Sequence, residues 1–350
     1  MQEWQKQLAH TVTSVETVAG RFGVDPEPLR EAAALYPFRV TSHYLGLIEA
    51  PGDPIWRQCM PDSAELFEDV RLCVDPLAED RHSPVPGVVH RHPDRALLLV
   101  TGGCPTLCRF CFRKGRLDSD ALELSSSRFD DAIAYLESRP GIREVILTGG
   151  EPLLLEDDRL DDILTVLRHI DHIDILRIHS RAPIVLPARI TDSLVSLLQG
   201  VSPLYLMIHV NHPRELTSEF ADACARLADT GTVLGSQTVL MRGVNDEPET
   251  LEALMRGLLR LRVRPYYLHH PDLTAGTGHF RTTLEHGRRL MEYLQDRLPG
   301  LAVPRYVVDL AGGLGKVPVA GDCVESLGST AILRAPKGER VEVPNKSWGE

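Results

Sequence analysis

Several things are scarce in this chain of 350 residues, and each scarcity narrows the reading. No run approaches the roughly eighteen apolar residues of a membrane-spanning helix, and the start, MQEWQKQLAH, has neither the basic flank nor the apolar stretch of a secretion signal. A soluble protein of the cytoplasm is therefore expected. Positive charge is short: the formal net charge is -11, which argues against a nucleic-acid-binding face. Lysine is shorter still, with five residues (Lys6, Lys114, Lys316, Lys337 and Lys346) among the 38 basic ones. Each interior lysine therefore carries more information than usual. A disulfide framework is also missing. Of seven cysteines, Cys59, Cys73, Cys224 and Cys323 are scattered, and the odd count suits a reducing compartment.

What the chain does have is a cysteine cluster. Thr101–Arg116 reads TGGCPTLCRFCFRKGR, placing Cys104, Cys108 and Cys111 in a C-x3-C-x2-C triplet directly after the apolar run Ala96–Val100. The triplet is thus expected on a loop following a strand. Zinc wants four ligands, commonly as two pairs, and only one cluster exists here. A four-cysteine iron–sulfur site would draw on a distant thiol. Three cysteines and one open iron of a [4Fe–4S] cluster is the third arrangement.

The organisation around the triplet is legible from periodicity. Residues 1–89 read as a helical, loop-rich cover or oligomerisation region without chemistry of its own. It includes one helix over Trp4–Ala19, a helix start at Asp25-Pro26-Glu27 and a short capped turn at Asp62–Glu65. Residues 90–303 alternate strands and helices. The strands are Ala96–Val100, Glu144–Leu147, Ile173–His179, Leu204–His209, Val233–Leu240 and Pro265–Leu268. Between them amphipathic helices fall near Phe129–Ser138, Leu160–His169, Thr191–Leu198, Ser218–Asp229 and Glu247–Arg260, with a further one over Leu284–Leu298. Six βα units predict an α/β fold, either a partial (βα)6 TIM-like barrel or an open doubly wound sheet. In both, function gathers in the loops after the strands. Residues 304–350 form a short C-terminal segment: the β-rich run Tyr306–Val308, a glycine loop ending in Lys316, and a strand or two with a loose end.

Two further motifs lie where such loops should be. Thr148-Gly149-Gly150-Glu151-Pro152 follows the second strand; its glycines allow a ligand close to the backbone, and its carboxylate can accept from an ammonium group. The loop Ala311-Gly312-Gly313-Leu314-Gly315-Lys316 is not a nucleotide-binding P-loop, which would have glycine at Leu310 and a hydroxyl at Val317. A lysine ending such a loop suits Schiff-base attachment of pyridoxal phosphate.

The triplet in its context resembles the radical S-adenosylmethionine enzymes, and together with the glycine-loop lysine it resembles the lysine 2,3-aminomutases. The resemblance runs from about Tyr36 to Val319. Besides Cys104–Arg113 and Asp309–Lys316 it includes His90-Arg91-His92-Pro93-Asp94-Arg95, Arg181-Ala182-Pro183, His209–Pro213, Gln237–Asp246 (QTVLMRGVND) and His279–Thr282.

The resemblance implies a radical 1,2-amino shift of lysine to β-lysine with a [4Fe–4S] cluster, S-adenosylmethionine and pyridoxal 5′-phosphate. It also implies an electron donor such as flavodoxin or ferredoxin, and it is compatible with a homo-oligomer. It assigns Gly149, Gly150, Glu151 and His209 to S-adenosylmethionine. Arg95, Gln237 and Lys316 go to pyridoxal phosphate, and Arg113 to the substrate carboxylate. Asp272 and Asp309 go to the substrate's distal ammonium; two acidic residues there favour a cationic amino acid over glutamate. Plainer readings exist: Arg113 as a salt-bridged loop arginine, His209 as a core histidine, Asp309 as a strand-end capper. The nearest enzyme alternatives are the relative that modifies elongation factor P with β-lysine and an aminomutase for arginine or glutamate. The alternative from a different class is a zinc or iron–sulfur module without catalysis. Members with a C-terminal zinc site carry a cysteine after the Gly-Val-Asn-Asp turn; here Glu247 follows it, and Cys323 is the one late cysteine.

Overall fold

The computed structural model describes residues 1–67, 69–119, 122–319, 324–334 and 339–345; Cys323 lies outside them. Nine strands form one sheet in chain order. They are β1 (Val88–His92), β2 (Arg95–Thr101), β3 (Glu144–Gly149), β4 (Ile175–Ser180), β5 (Leu204–His209), β6 (Val233–Val239), β7 (Arg264–His269), β8 (Arg305–Leu310) and β9 (Gly315–Pro318). Strands β2 to β8 run parallel, while β1 and β9 pair antiparallel at the two ends. The sheet curls: Arg91 on β1 reaches Asp309 on β8 at 3.5 Å, so its first and last thirds face each other across an open barrel.

The crossovers between parallel strands are helical, as a parallel sheet requires. In the N-terminal region come α1 (Glu3–Ala9), α2 (Val15–Phe22), α3 (Glu27–Leu35), α4 (Ser42–Gly46) and α5 (Pro54–Cys59). The barrel adds α6 (Ser126–Glu137), α7 (Asp157–Arg168), α8 (Ala182–Val185), α9 (Asp192–Gln199), α10 (Ser218–Asp229), α11 (Pro248–Arg260) and α12 (Leu284–Arg297). Helices α6, α9, α10 and α12 start on a Ser or Thr whose side chain accepts a first-turn backbone N–H, namely Ser125, Thr191, Thr217 and Thr283. Such caps are each worth about 1 kcal/mol. Their buried faces (Leu160, Ile163, Leu164 and Leu167 on α7; Leu251, Leu254, Met255 and Leu258 on α11) close over the sheet in one continuous core.

The six βα units are present, and β8 continues them as a seventh parallel strand, so residues 305–318 are part of the sheet. A separate three-stranded sheet follows: β10 (Val324–Ser326), β11 (Thr330–Arg334) and β12 (Arg340–Pro344). The single helix expected over Trp4–Ala19 is two. Val12 bridges Val40 instead of continuing the turn, and Ser14 caps a new start by accepting from Thr17 N. Three consecutive β-branched or hydroxyl residues, Thr11-Val12-Thr13, favour that extended bridge. No helix among the described residues is long and apolar enough to cross a membrane.

Candidate active site

The curl encloses a cavity of about 520 Å³ that runs from the first residues of β2 and β3, Arg95 and Glu144, to the loops after the parallel strands. All thirteen side chains or backbones singled out from sequence line it: Cys104, Cys108, Cys111, Arg113, Gly149, Gly150, Glu151, His209, Gln237, Arg95, Asp272, Asp309 and Lys316.

The cysteine loop leaves β2 and is pinned by the N-terminal region. Leu107 N donates to Arg39 O and Arg109 N to Gln58 O, each at 2.9 Å. The Arg109 guanidinium is buried against Glu65 at 2.6 Å, and Lys114 Nζ meets the same carboxylate at 2.9 Å. Burial brings the Lys114 ammonium down to about 8. Burial, and then the neighbouring sulfurs, push the Cys104 and Cys111 thiols up, Cys111 to about 11. Three thiolates side by side are therefore costly unless a cationic centre holds them. Among the described residues no three His, Cys, Asp or Glu side chains converge on one ion. Arg181 adds a donor, with Nη1 2.6 Å from Cys108 Sγ.

The glycines of the second motif are where two loops press backbone to backbone. A Cβ on Gly150 would lie 2.2 Å from Gly103 O, and one on Gly149 (φ 117°) would lie 2.5 Å from Thr101 O. Gly150 N donates to Thr101 O at 2.6 Å and Glu151 N to Gly103 O at 2.8 Å. Only glycine lets the motif sit against the cysteine loop. Glu151 is not the free acceptor that the sequence suggests. Its two oxygens accept from Leu153 N, Ser180 Oγ, Arg181 N and Ala182 N at 2.7–3.1 Å, which uses the four lone-pair sites of a carboxylate. It braces the turn after β4 and gives the cavity negative potential. His209 ends β5 with its ring 5.1 Å from that of Phe110, and its Nε2 is buried without a hydrogen-bond partner among the described residues. Burial, then Arg181, lowers it to about 3, so it is a neutral imidazole with an unused ring nitrogen.

Across the cavity lies the lysine hairpin. Asp309 on β8 and Lys316 on β9 are direct register partners, joined by a turn in which Gly312, Gly313 and Gly315 take φ of 71°, 77° and 109°. Lys316 Nζ donates to both Asp309 oxygens, at 2.5 and 2.6 Å. His269 Nδ1 and Arg91 Nη2 approach the same carboxylate at 3.2 and 3.5 Å. Burial works to raise the Asp309 carboxyl, but His269 and Lys316 outweigh it and hold it well below the usual range. Asp272, in the loop after β7, goes the other way: burial and then Asp309 push it up to about 7. Arg95 opens β2 and is paired with Asp94 at 2.9 Å. Gln237 on β6 lies in register between His209 and Tyr267.

The comparisons agree with this geometry. The Radical SAM superfamily model matches residues 98–255. L-lysine 2,3-aminomutase of Methanococcus maripaludis is 40% identical over 339 residues, 95% of this chain and 78% of that one. The enzyme of the same name from Clostridium subterminale is 40% identical, over 95% and 81% of the two chains. This chain belongs to the lysine 2,3-aminomutase family. Glutamate 2,3-aminomutase of Clostridioides difficile, 33% identical over 97% of this chain and 82% of that one, is a relative too, so family membership does not by itself choose the side chain acted on. The family is one of radical isomerases that use a [4Fe–4S] cluster, S-adenosylmethionine and pyridoxal phosphate, and this cavity presents donors suited to each.

Sequence reasoning missed what the N-terminal region contributes to this aminomutase cavity. Residues 1–89 are not free of chemistry. Glu79 lines the cavity and grips Arg113, Glu65 anchors the cysteine loop, and Gln58 and Tyr44 hold Arg181 at 2.8 Å. One signal was available: the acidic run Asp75-Pro-Leu-Ala-Glu79-Asp80 complements the basic run Arg109–Arg116. Arg181 and Arg91 were visible only as parts of motifs, and His269, one residue past the strand expected over Pro265–Leu268, was not singled out.

Proposed function

We propose that the protein moves the amino group of L-lysine from C2 to C3, giving β-lysine. One observation carries this: Asp309, which accepts from Lys316, and Asp272, whose carboxyl feels its charge, line the same cavity as the cysteine triplet. Two carboxylates so placed repel unless a cation joins them, and a substrate ending in a carboxylate would add a third.

Cys104, Cys108 and Cys111 would hold the [4Fe–4S] cluster. The Gly149–Gly150 backbone, the negative potential of Glu151 and the ring of His209 would hold S-adenosylmethionine. Lys316, Arg95 and Gln237 would hold pyridoxal phosphate. When bound, these groups supply hydrogen-atom abstraction from carbon and the carrier through which nitrogen migrates. The chain's own residues bind and orient. Arg113 takes the substrate carboxylate, and the curled sheet excludes water. Lys316 Nζ donates to both oxygens of Asp309 in the structure described. Lys316 would hold pyridoxal phosphate through Nζ, and Asp309, on the same wall of the cavity, would be available to the distal ammonium of lysine. Reducing equivalents would come from a low-potential donor of the flavodoxin or ferredoxin kind in a reducing cytoplasm.

The test is anaerobic incubation of reconstituted protein with S-adenosylmethionine, pyridoxal phosphate, a reductant and a panel of amino acids. β-Lysine is the expected major product. Preferential turnover of glutamate or arginine would overturn the assignment.

A further inference from the structure

Glu79, one partner of a buried ion pair in the cavity, has no part in the reaction as proposed. Glu79 accepts from Arg113 Nε at 2.9 Å and from Nη2 at 2.5 Å, and both residues are buried, at 3% and 6% exposure. This engages the side-on edge of the guanidinium. Nη1 is directed to Thr148 Oγ1 at 3.3 Å and Gly149 O at 3.2 Å. Arginine has five N–H groups in a fixed fork. Glu79 takes two and the β3 end takes those of Nη1, so one Nη2 proton on the end-on edge is left for a ligand. The Phe112 ring, 4.5 Å from the guanidinium carbon, covers a face of the fork.

Glu79 is held as firmly as it holds. Its backbone N donates to Asp75 Oδ1 at 2.9 Å, and Asp80 N donates to Asp75 Oδ2 at 3.1 Å. The strap carrying it is tied to both loops at the other end of the cavity. Cys73 N donates to Leu273 O, and Ala275 N to Cys73 O, each at 2.9 Å, beside Asp272. Gly312 N, in the lysine hairpin, donates to Pro76 O at 2.8 Å. Two anions on one guanidinium need a further cation. Arg116 supplies a share of one: its Nη1 stands 3.8 Å from Glu79 Oε2 and equally 3.8 Å from Asp75 Oδ1, while its Nη2 donates to Asp80 Oδ1 at 2.6 Å.

We propose that Glu79 is a positioning residue for recognition of the substrate carboxylate. It fixes the fork of Arg113 so that the end-on edge faces the cavity, and the strap holds that edge at a set place relative to the Asp272 and Asp309 end. This rests on the reading of Arg113 as the carboxylate-binding residue. The alternative geometry, in which Glu79 occupies the place of the substrate carboxylate and must be displaced, predicts the opposite sign on binding.

The test measures dissociation constants of L-lysine and L-lysinamide, which lacks the carboxylate, for the cofactor-loaded protein, by the change in pyridoxal phosphate absorbance on binding. Iron content and cofactor occupancy are measured alongside. Glu79→Gln should weaken lysine about 10–100-fold, the range typical of lost outer-shell orientation, and leave lysinamide within about twofold. Glu79→Asp, which keeps the charge with a shorter reach, should lose less, and it carries the comparison if Glu79→Gln does not fold. Tighter lysine binding in Glu79→Gln would overturn the proposal in favour of a displaced placeholder. Equal loss of lysine and lysinamide would overturn it in favour of a purely structural pair. Arg113→Gln tests the underlying reading separately: if it discriminates lysine from lysinamide as the parent does, Arg113 does not bind the carboxylate, whatever the Glu79 variants show.

Discussion

Asp272→Asn isolates the recognition of the substrate's distal charge. In the parent, burial and the adjacent Asp309 raise the Asp272 carboxyl from the ordinary carboxylate range to about 7. Below that pH the group is neutral and offers a cation little; above it, the group is an anion beside Asp309. Binding a lysine ammonium therefore requires the proton to leave, so KM for lysine should fall about tenfold per pH unit as pH rises toward 7 and level off above it. The stability sign is opposite. Between the unfolded value and about 7 the folded state binds the extra proton, so this group's contribution to stability is full at low pH and declines as pH rises through that window. Replacing the carboxylate by an amide at pH 8 removes one charge-assisted hydrogen bond, worth about 1.5–3 kcal/mol, or roughly a 10- to 150-fold rise in KM. The assay is steady-state β-lysine formation from pH 6 to 8.5. The variant should show the raised KM together with a flat pH profile over this range. An unchanged KM at pH 8, or the parent's pH profile persisting in the variant, would refute the reasoning.

Three further outcomes follow from contacts already described. Lys316→Ala should abolish borohydride-reducible attachment of pyridoxal phosphate while iron content stays at the parent level; a retained adduct would remove Lys316 from that role. Ser in place of Cys104, Cys108 or Cys111 should eliminate the visible iron–sulfur absorbance after anaerobic reconstitution, whereas Cys73→Ser and Cys224→Ser should retain it. Its loss in either of the latter would point to a fourth protein ligand. Glu65→Gln leaves Arg109 and Lys114 buried without their shared carboxylate, so chemical denaturation should show a loss of about 3–5 kcal/mol; a loss under 1 kcal/mol would mean that the loop relaxes into solvent.

How much of this was legible depended on whether the chemistry dictates local spacing. The cysteine triplet, the double glycine and Lys316 are local patterns, and each lines the cavity in the structure. The βα alternation was legible because α6, α7, α9, α10, α11 and α12 each have an amphipathic period and the strands between them are largely apolar. What escaped was pairing at a distance. Glu79 and Arg113 are 34 residues apart, and nothing in an acidic run before a strand says which arginine it will meet. Glu151 escaped differently. Its motif suggested a ligand acceptor, while the four donors that occupy it come from its own turn and from the end of β4, whose approach only the folded sheet reveals. The break inside Trp4–Ala19 likewise depends on Val40, a partner outside any local window.

The lysine hairpin shows how a local pattern acquires its function from tertiary register. Asp309 and Lys316 are seven residues apart, and the turn between them uses three left-handed glycines, so the two stand directly opposite in the β8–β9 ladder. Opposite residues in a ladder share a face, and a slip of one residue would turn Lys316 to the other face. The glycine loop that ends in Lys316 is thus a register device first. It delivers one amine and one carboxylate to the same point of the cavity, and the parallel pairing of β7 with β8 brings His269, and beyond it the loop of Asp272, to that point as well. The scarcity of lysine and the glycine turn become one statement: one of the five lysines is delivered to Asp309, on the wall of the cavity that Asp272 also lines.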